Sequence, residues 1–127
     1  MMLTVTVRAR CLPTEDRERV SRAITQLFPD AVITGDDPMM GTSSSVEAFA
    51  EQLRRQRIRG VARAILRRGV RGDSSSFRLN KQVAAIGKVS FSEEEHPLGD
   101  LEVTVRSDRI ECLIDDIAPN LRKGARE

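Results

Sequence analysis

Leu3, Val5 and Val7 alternate with Thr4, Thr6 and Arg8, which predicts a strand over Leu3 to Cys11 with one buried face. Pro13 stops it, and Thr14 is suited to cap a helix whose first turn carries Glu15 and Asp16 near its positive end. Val20, Ala23, Ile24, Leu27 and Phe28 recur at helical spacing until Pro29 and Asp30 end the run. Ala31 to Thr34 reads as a short strand, Gly35 to Pro38 as a turn, and Met39 to Thr42 as the candidate hairpin partner. Ser44 or Ser45 is placed to cap the next helix, with Glu47 supporting its first turn.

Helical spacing continues through the middle of the chain, but on two different faces. At about 100° per residue, Val46, Phe49, Ala50 and Leu53 form one stripe and Ile58, Val61, Ala62, Ile65 and Leu66 another, rotated by more than a third of a turn. One straight helix cannot press both against the same core. A break is therefore expected between Arg55 and Ile58, followed by a second helix closing at Gly69 or Gly72.

Beyond the turn at Gly72 to Ser75, Phe77 and Leu79 alternate with Arg78 and Asn80 as in a strand. Val83 to Ile86 is apolar without alternation, Gly87 marks a turn or close approach, and Val89 with Phe91 predicts another strand over Gly87 to Ser92. Leu101, Val103 and Val105 predict a last strand. Ser107 or Asp108 then caps a helix with Ile110, Leu113, Ile114 and Ile117 on one face, and the charged tail from Asn120 is expected to fray. This order predicts one α+β domain over residues 1–127, a two-layer sandwich with helices on one face of a mainly antiparallel sheet.

Charge changes the picture locally rather than globally. The formal net charge is +2, yet Gln52 to Gly72 holds eight arginines and no acidic residue. Arg59, Arg63 and Arg67 fall at i, i+4 and i+8, roughly opposite the second apolar stripe, and are expected to make a solvent-facing row. Such a row has two readings: a solvated face paired with the chain's own carboxylates, or a phosphate-binding surface, since the guanidinium fork matches phosphate oxygens. On the second reading Arg54 and Arg55 extend the row, and the partner is RNA bound through its backbone. A third reading pairs the arginines with an acidic protein surface, such as Glu93 to Glu95 of a second copy in a homodimer.

Candidate chemistry elsewhere is sparse. Asn80, Lys81, Gln82 and Lys88 gather two amides and two cations at a strand end and the turn after it, either as a hydrogen-bond network tying the turn to the sheet or as a polar pocket for phosphate. Gly87-Lys88 lacks the spacing of a phosphate-binding nucleotide loop. The lone His96 sits in a polar turn, Ser74 to Ser76 have no nucleophile-elbow pattern, and no catalytic constellation, metal or organic cofactor is implied. Cys11 and Cys112 are expected to be buried small side chains, with a single disulfide as the alternative. Phe28, Phe49, Phe77 and Phe91 fall on apolar positions and read as core rather than a base-stacking platform. The opening run is too short and too interrupted for a signal peptide, and no apolar stretch is long enough to cross a membrane, so a soluble cytoplasmic protein is expected.

At PTEDRERVSRAITQLFPDA, LRRQRIRGVARAILRRG, FRLNKQVAAIGKVSF, PLG and LIDDIAP, from about Cys11 to Pro119, the chain resembles the archaeal uncharacterised protein family two-zero-one. Cys11 and the Met39-Met40 turn depart from that pattern. The resemblance implies a fold like that of the large-subunit ribosomal protein five and an archaeal cytoplasm. It implies no reaction and assigns no catalytic residue. Its bearing on RNA is by analogy of fold.

Overall fold

A computed structural model of the chain describes residues 2–92 and 99–120. Its elements are β1 (Leu3–Ala9), α1 (Arg17–Leu27), β2 (Val32–Thr34), β3 (Met39–Ser43), α2 (Glu47–Arg55), α3 (Arg59–Arg68), β4 (Val70–Arg71), β5 (Ser74–Asn80), α4 (Lys81–Ala85), β6 (Asp100–Ser107) and α5 (Ile110–Ile117). The strands form one six-stranded sheet in the order β2-β3-β1-β6-β5-β4, antiparallel at every pairing.

The alternation in the sequence sets which face is covered. Val5, Val7 and Ala9 of β1 point into the core with Leu101, Val103 and Val105 of β6 and Phe77 and Leu79 of β5. Their neighbours Thr4, Thr6, Arg8, Glu102, Thr104, Arg106, Ser76 and Arg78 are partly or fully exposed. The helices therefore cover one face and leave the other polar, the expected two-layer α+β arrangement. On the open face Arg8 pairs with Glu102 at 3.3 Å, and the Ser76 and Thr104 hydroxyls lie 3.1 Å apart. Across the covered face Phe28, Phe49, Phe77 and Phe91 form a continuous series with centroids 5.6, 5.5 and 5.9 Å apart, linking α1, α2, β5 and the chain after α4.

Several boundaries differ from the sequence reading, each for a physical reason. Helix α1 is capped by Asp16, whose carboxylate accepts from the Glu18 N–H at 2.9 Å, instead of by Thr14. The chain before it is held in a turn, with Glu15 N donating to the Leu12 carbonyl at 2.9 Å. Helix α2 has Val46 at its cap position with no side-chain cap bond, instead of Ser44 or Ser45, although Ser45 Oγ accepts from Glu47 N at 3.2 Å. The strand expected over Gly87 to Ser92 is reduced to a single bridge between Leu79 and Phe91, and the apolar residues before it belong to helix α4. Val89 cannot join the sheet because its N–H and C=O are both taken by the side-chain amide of Gln56, at 2.7 and 2.9 Å. Cys112 is exposed and Cys11 partly buried, both free thiols, so neither is the buried side chain expected. The acidic run Glu93 to Glu95, His96 and the tail after Asn120 lie outside the described residues.

Gly69 ends α3 where the helix meets β5. A Cβ there would stand 2.1 Å from the Ser76 carbonyl oxygen, which is backbone and cannot step aside. Gly69→Ala is expected to lower stability by about 1 to 3 kcal/mol through overpacking, read as a lower denaturant midpoint at constant m-value.

Candidate nucleic-acid interface

Two helix ends of the same kind build the site. Helix α2 stops with Arg57 in the left-handed region (φ 57°), Arg57 N donating to Arg54 O at 3.1 Å and Ile58 N to Leu53 O at 3.1 Å. These are the paired bonds of a Schellman motif, with arginine where glycine is usual. They place the expected break between the two stripes. Helix α4 ends in the same way: Gly87 (φ 80°) donates to Ala84 O at 2.9 Å and Lys88 to Val83 O at 3.2 Å. Gln56 at the end of α2 then bonds Val89 through both ends of its amide, and Gln52 Nε2 steadies it by donating to Gln56 Oε1 at 2.8 Å. The two helix ends are thereby tied together.

A cleft of about 450 Å³ results, lined by Gln26, Glu51, Gln52, Arg55, Gly87 and Lys88 among others. It brings Arg55 and Lys88 to one opening from distant parts of the chain. Arg54 and Arg55 share one carboxylate, Glu51, at 2.5 and 3.2 Å, and their side chains remain 59 % and 70 % exposed. The Arg54 guanidinium, reinforced by Arg55, holds the Glu51 carboxyl below the usual carboxylate range. Among the described residues, Glu51 is the one carboxylate lining the cleft, against the Arg55 guanidinium and the Lys88 ammonium. The place of Arg54 and Arg55 in the last turn of α2 also complements the negative end of the helix dipole.

The row along α3 is not uniform. The buried side of the helix is Ala62 and Leu66, flanked by Ile58 and Ile65, while Val61 is 57 % exposed and does not belong to the inward stripe. Arg67 is exposed and Arg59, the first residue of α3, partly buried. Arg63 is only 17 % exposed, donating to Asp115 at 2.6 Å and to the Ala118 carbonyl at 3.0 Å. Helix α5 lies against that side of α3, so the expectation of a solvent-facing Arg63 is corrected: it joins the two helices.

Lys81, read as part of either a hydrogen-bond network or a polar pocket, is buried. Its side chain is 6 % exposed, with Nζ 2.8 Å from Glu15 and donating to the Arg10 carbonyl at 3.0 Å. Asn80 caps α4, its Oδ1 accepting from Val83 N at 2.9 Å, and Gln82 is exposed beside a small pocket lined by Glu15, Arg19 and Lys81. These residues therefore lie apart from Lys88 in role. Burial pushes the Glu15 carboxyl up, but Lys81 and the Leu12 N–H outweigh it and leave Glu15 below its ordinary value. Among the described residues the strongest shift is at Asp37, held at about 2 by Arg10 in a two-pronged pair at 2.6 and 3.0 Å, with Cys11 N–H adding a third bond.

Sequence reasoning missed Gln26, Gln52 and Gln56, polar residues on helices with no local signal of the turn they face. It also missed α4, whose signal was present in Asn80 as a cap and Gly87 as the residue beyond the end. Among the described residues no group of three His, Cys, Asp or Glu could hold a metal ion, and no helix is long and apolar enough to cross a membrane.

Comparison with known proteins places this geometry in a family. A family model described as "RNA binding" matches residues 4–108. The UPF0201 protein of Methanothermobacter thermautotrophicus is 40% identical over 121 residues, covering 92% of each chain. That of Metallosphaera sedula is 36% identical over 132 residues, covering 97% of this chain and 92% of its own. The crystal structure of the UPF0201 protein from Methanococcus jannaschii superposes with a TM-score of 0.86 at 36% identity, covering 96% of this chain and 97% of that one. With a relationship of this identity over nearly its full length, the chain belongs to the UPF0201 family of archaeal proteins.

Proposed function

We propose that this chain, acting as one α+β domain in the cytoplasm, is a non-catalytic RNA-binding protein that contacts phosphates through Arg54, Arg55, Arg59, Arg67 and Lys88. The observation that carries this reading is the cleft that joins Arg55 to Lys88 across two helix ends locked by Gln56. Arg54, Arg55, Arg67 and Lys88 are exposed, and such cations on rigid elements can follow a phosphate backbone without reading sequence. The description of the matching family model supports RNA as the polyanion. A likeness of the fold to ribosomal protein five belongs to the same reading, as analogy.

Binding to structured RNA, titrated from low to physiological salt, tests it. A dissociation constant of about a micromolar or tighter at low salt, weakening steeply as salt rises, is the expected result. No detectable binding at low salt would overturn it. Dimers that loosen with salt in light scattering, without RNA binding, would favour instead an arginine face paired with acidic residues of a second copy.

A further inference from the structure

The edge of the sheet carries a second cationic pocket that the reading above does not use. Strand β4 has two residues and covers only one end of β5, with Ser76 N donating to Gly69 O at 3.1 Å. At the other end Ser92 N donates to Arg78 O at 3.0 Å. Between these two bonds lies a pocket of about 380 Å³, lined by Arg68 from the last turn of α3, Arg71 from β4, Arg78 from β5, and the serines Ser76 and Ser92. Among the described residues, none that lines it is acidic.

The three arginines are poorly neutralised. Among the described residues Arg68 and Arg71 have no carboxylate within salt-bridge distance, and the one near Arg78 is Asp100, at 3.9 Å. Asp100 is buried and accepts from Ser92 Oγ at 2.7 Å. Arg78 Nε is itself buried and, among the described residues, has no hydrogen-bond partner, the Asp100 carboxylate lying beyond bonding distance. Buried donors are ordinarily satisfied, so the Arg78 guanidinium lines the pocket without its full set of acceptors. Arg71 is already positioned, its Nη1 bonded to the Val70 carbonyl at 2.7 Å.

We infer that this pocket binds a phosphate monoester, the terminal phosphate of an RNA strand or of a free mononucleotide. Three guanidiniums against one carboxylate leave about two positive charges, which matches a monoester's charge of about −1.5 to −2 at neutral pH better than the single charge of a backbone diester. The backbone bonds at both ends of the gap suit an end group, which need not continue past the site. Gly69 is part of the construction, since any side chain there would force the α3 end away from Ser76. For RNA the inference rests on the function proposed above; for a mononucleotide it does not.

The test compares one RNA sequence carrying a 5′-phosphate, a 3′-phosphate or hydroxyl ends only, with adenosine monophosphate as a separate ligand. One phosphorylated end is expected to bind roughly tenfold tighter than the hydroxyl-ended strand, as charge-assisted bonds to a dianion require. Arg78→Gln and Arg68→Gln should each bring that ratio to within about twofold and leave binding of the hydroxyl-ended strand unchanged. Arg68 is exposed and decides the matter if the Arg78 variant does not fold. RNA that binds equally well with or without an end phosphate overturns the pocket and leaves the RNA reading standing. Adenosine monophosphate bound by the parent protein and lost in Arg68→Gln, with no RNA bound, overturns the RNA reading and keeps the pocket. Binding of neither ligand overturns both.

Discussion

Glu15→Ala is expected to destabilise the protein by about 1 to 3 kcal/mol, the usual cost of removing a charged acceptor from a buried donor. Lys81 holds Nζ 2.8 Å from Glu15 with its side chain 6 % exposed, while Glu15 is 27 % exposed. The ammonium would keep its other contacts, the Arg10 carbonyl at 3.0 Å among them, but lose the Glu15 carboxylate. The partial exposure of Glu15 admits some water, which favours the lower end of the range. Glu15→Leu combined with Lys81→Met removes both charges and should recover most of the loss, because an apolar pair needs no counter-charge. Urea titrations of the two variants check this through the midpoint at constant m-value. The same pair sets a pH dependence. The folded-state value of Glu15 is depressed, so its contribution is present above the unfolded value of about 4.3 and is lost as pH falls through the folded value. In Lys81→Met that acid dependence should weaken.

Replacing Arg54, Arg55 and Lys88 together by glutamine is expected to reduce RNA affinity at least about tenfold at low salt and to flatten the salt dependence by up to about three ions. Stability should hardly change, because all three side chains are exposed and exposed ion pairs contribute little. The triple change at Arg59, Arg63 and Arg67 is a poorer probe. It also breaks the Arg63 bonds to Asp115 and Ala118, so lost affinity would be mixed with lost docking of α5 on α3. Arg8, Arg10 and Arg106 make a stringent comparison, since each already faces a carboxylate: Glu102 at 3.3 Å, Asp37 at 2.6 Å and Asp73 at 3.9 Å. Their replacement should cost much less RNA affinity than replacement at the cleft. Equal losses in the two sets would mean that bulk charge alone governs binding, and the cleft would have no special role.

The sequence by itself determined the elements whose periodicity is local. Alternation at Leu3 to Val7 and at Leu101 to Val105 specified two strands and their buried face, and the rotation between the Phe49-Leu53 and Ala62-Leu66 stripes required the break that Arg57 makes. Both signals survive because burial of one face dictates them residue by residue. Tertiary structure decided what depends on partners far along the chain. Arg63 and Arg67 are alike in sequence, yet α5 takes one and leaves the other in water. Lys81 and Lys88 flank one apolar segment, yet Glu15 draws Lys81 inward while the turn at Gly87 leaves Lys88 at the cleft. Val89 carries a strand-like pattern, yet Gln56 occupies its backbone groups. A charge or an amide has no periodicity that announces its partner, because a hydrogen bond is satisfied by whichever group the fold brings within about 3 Å, however distant in sequence.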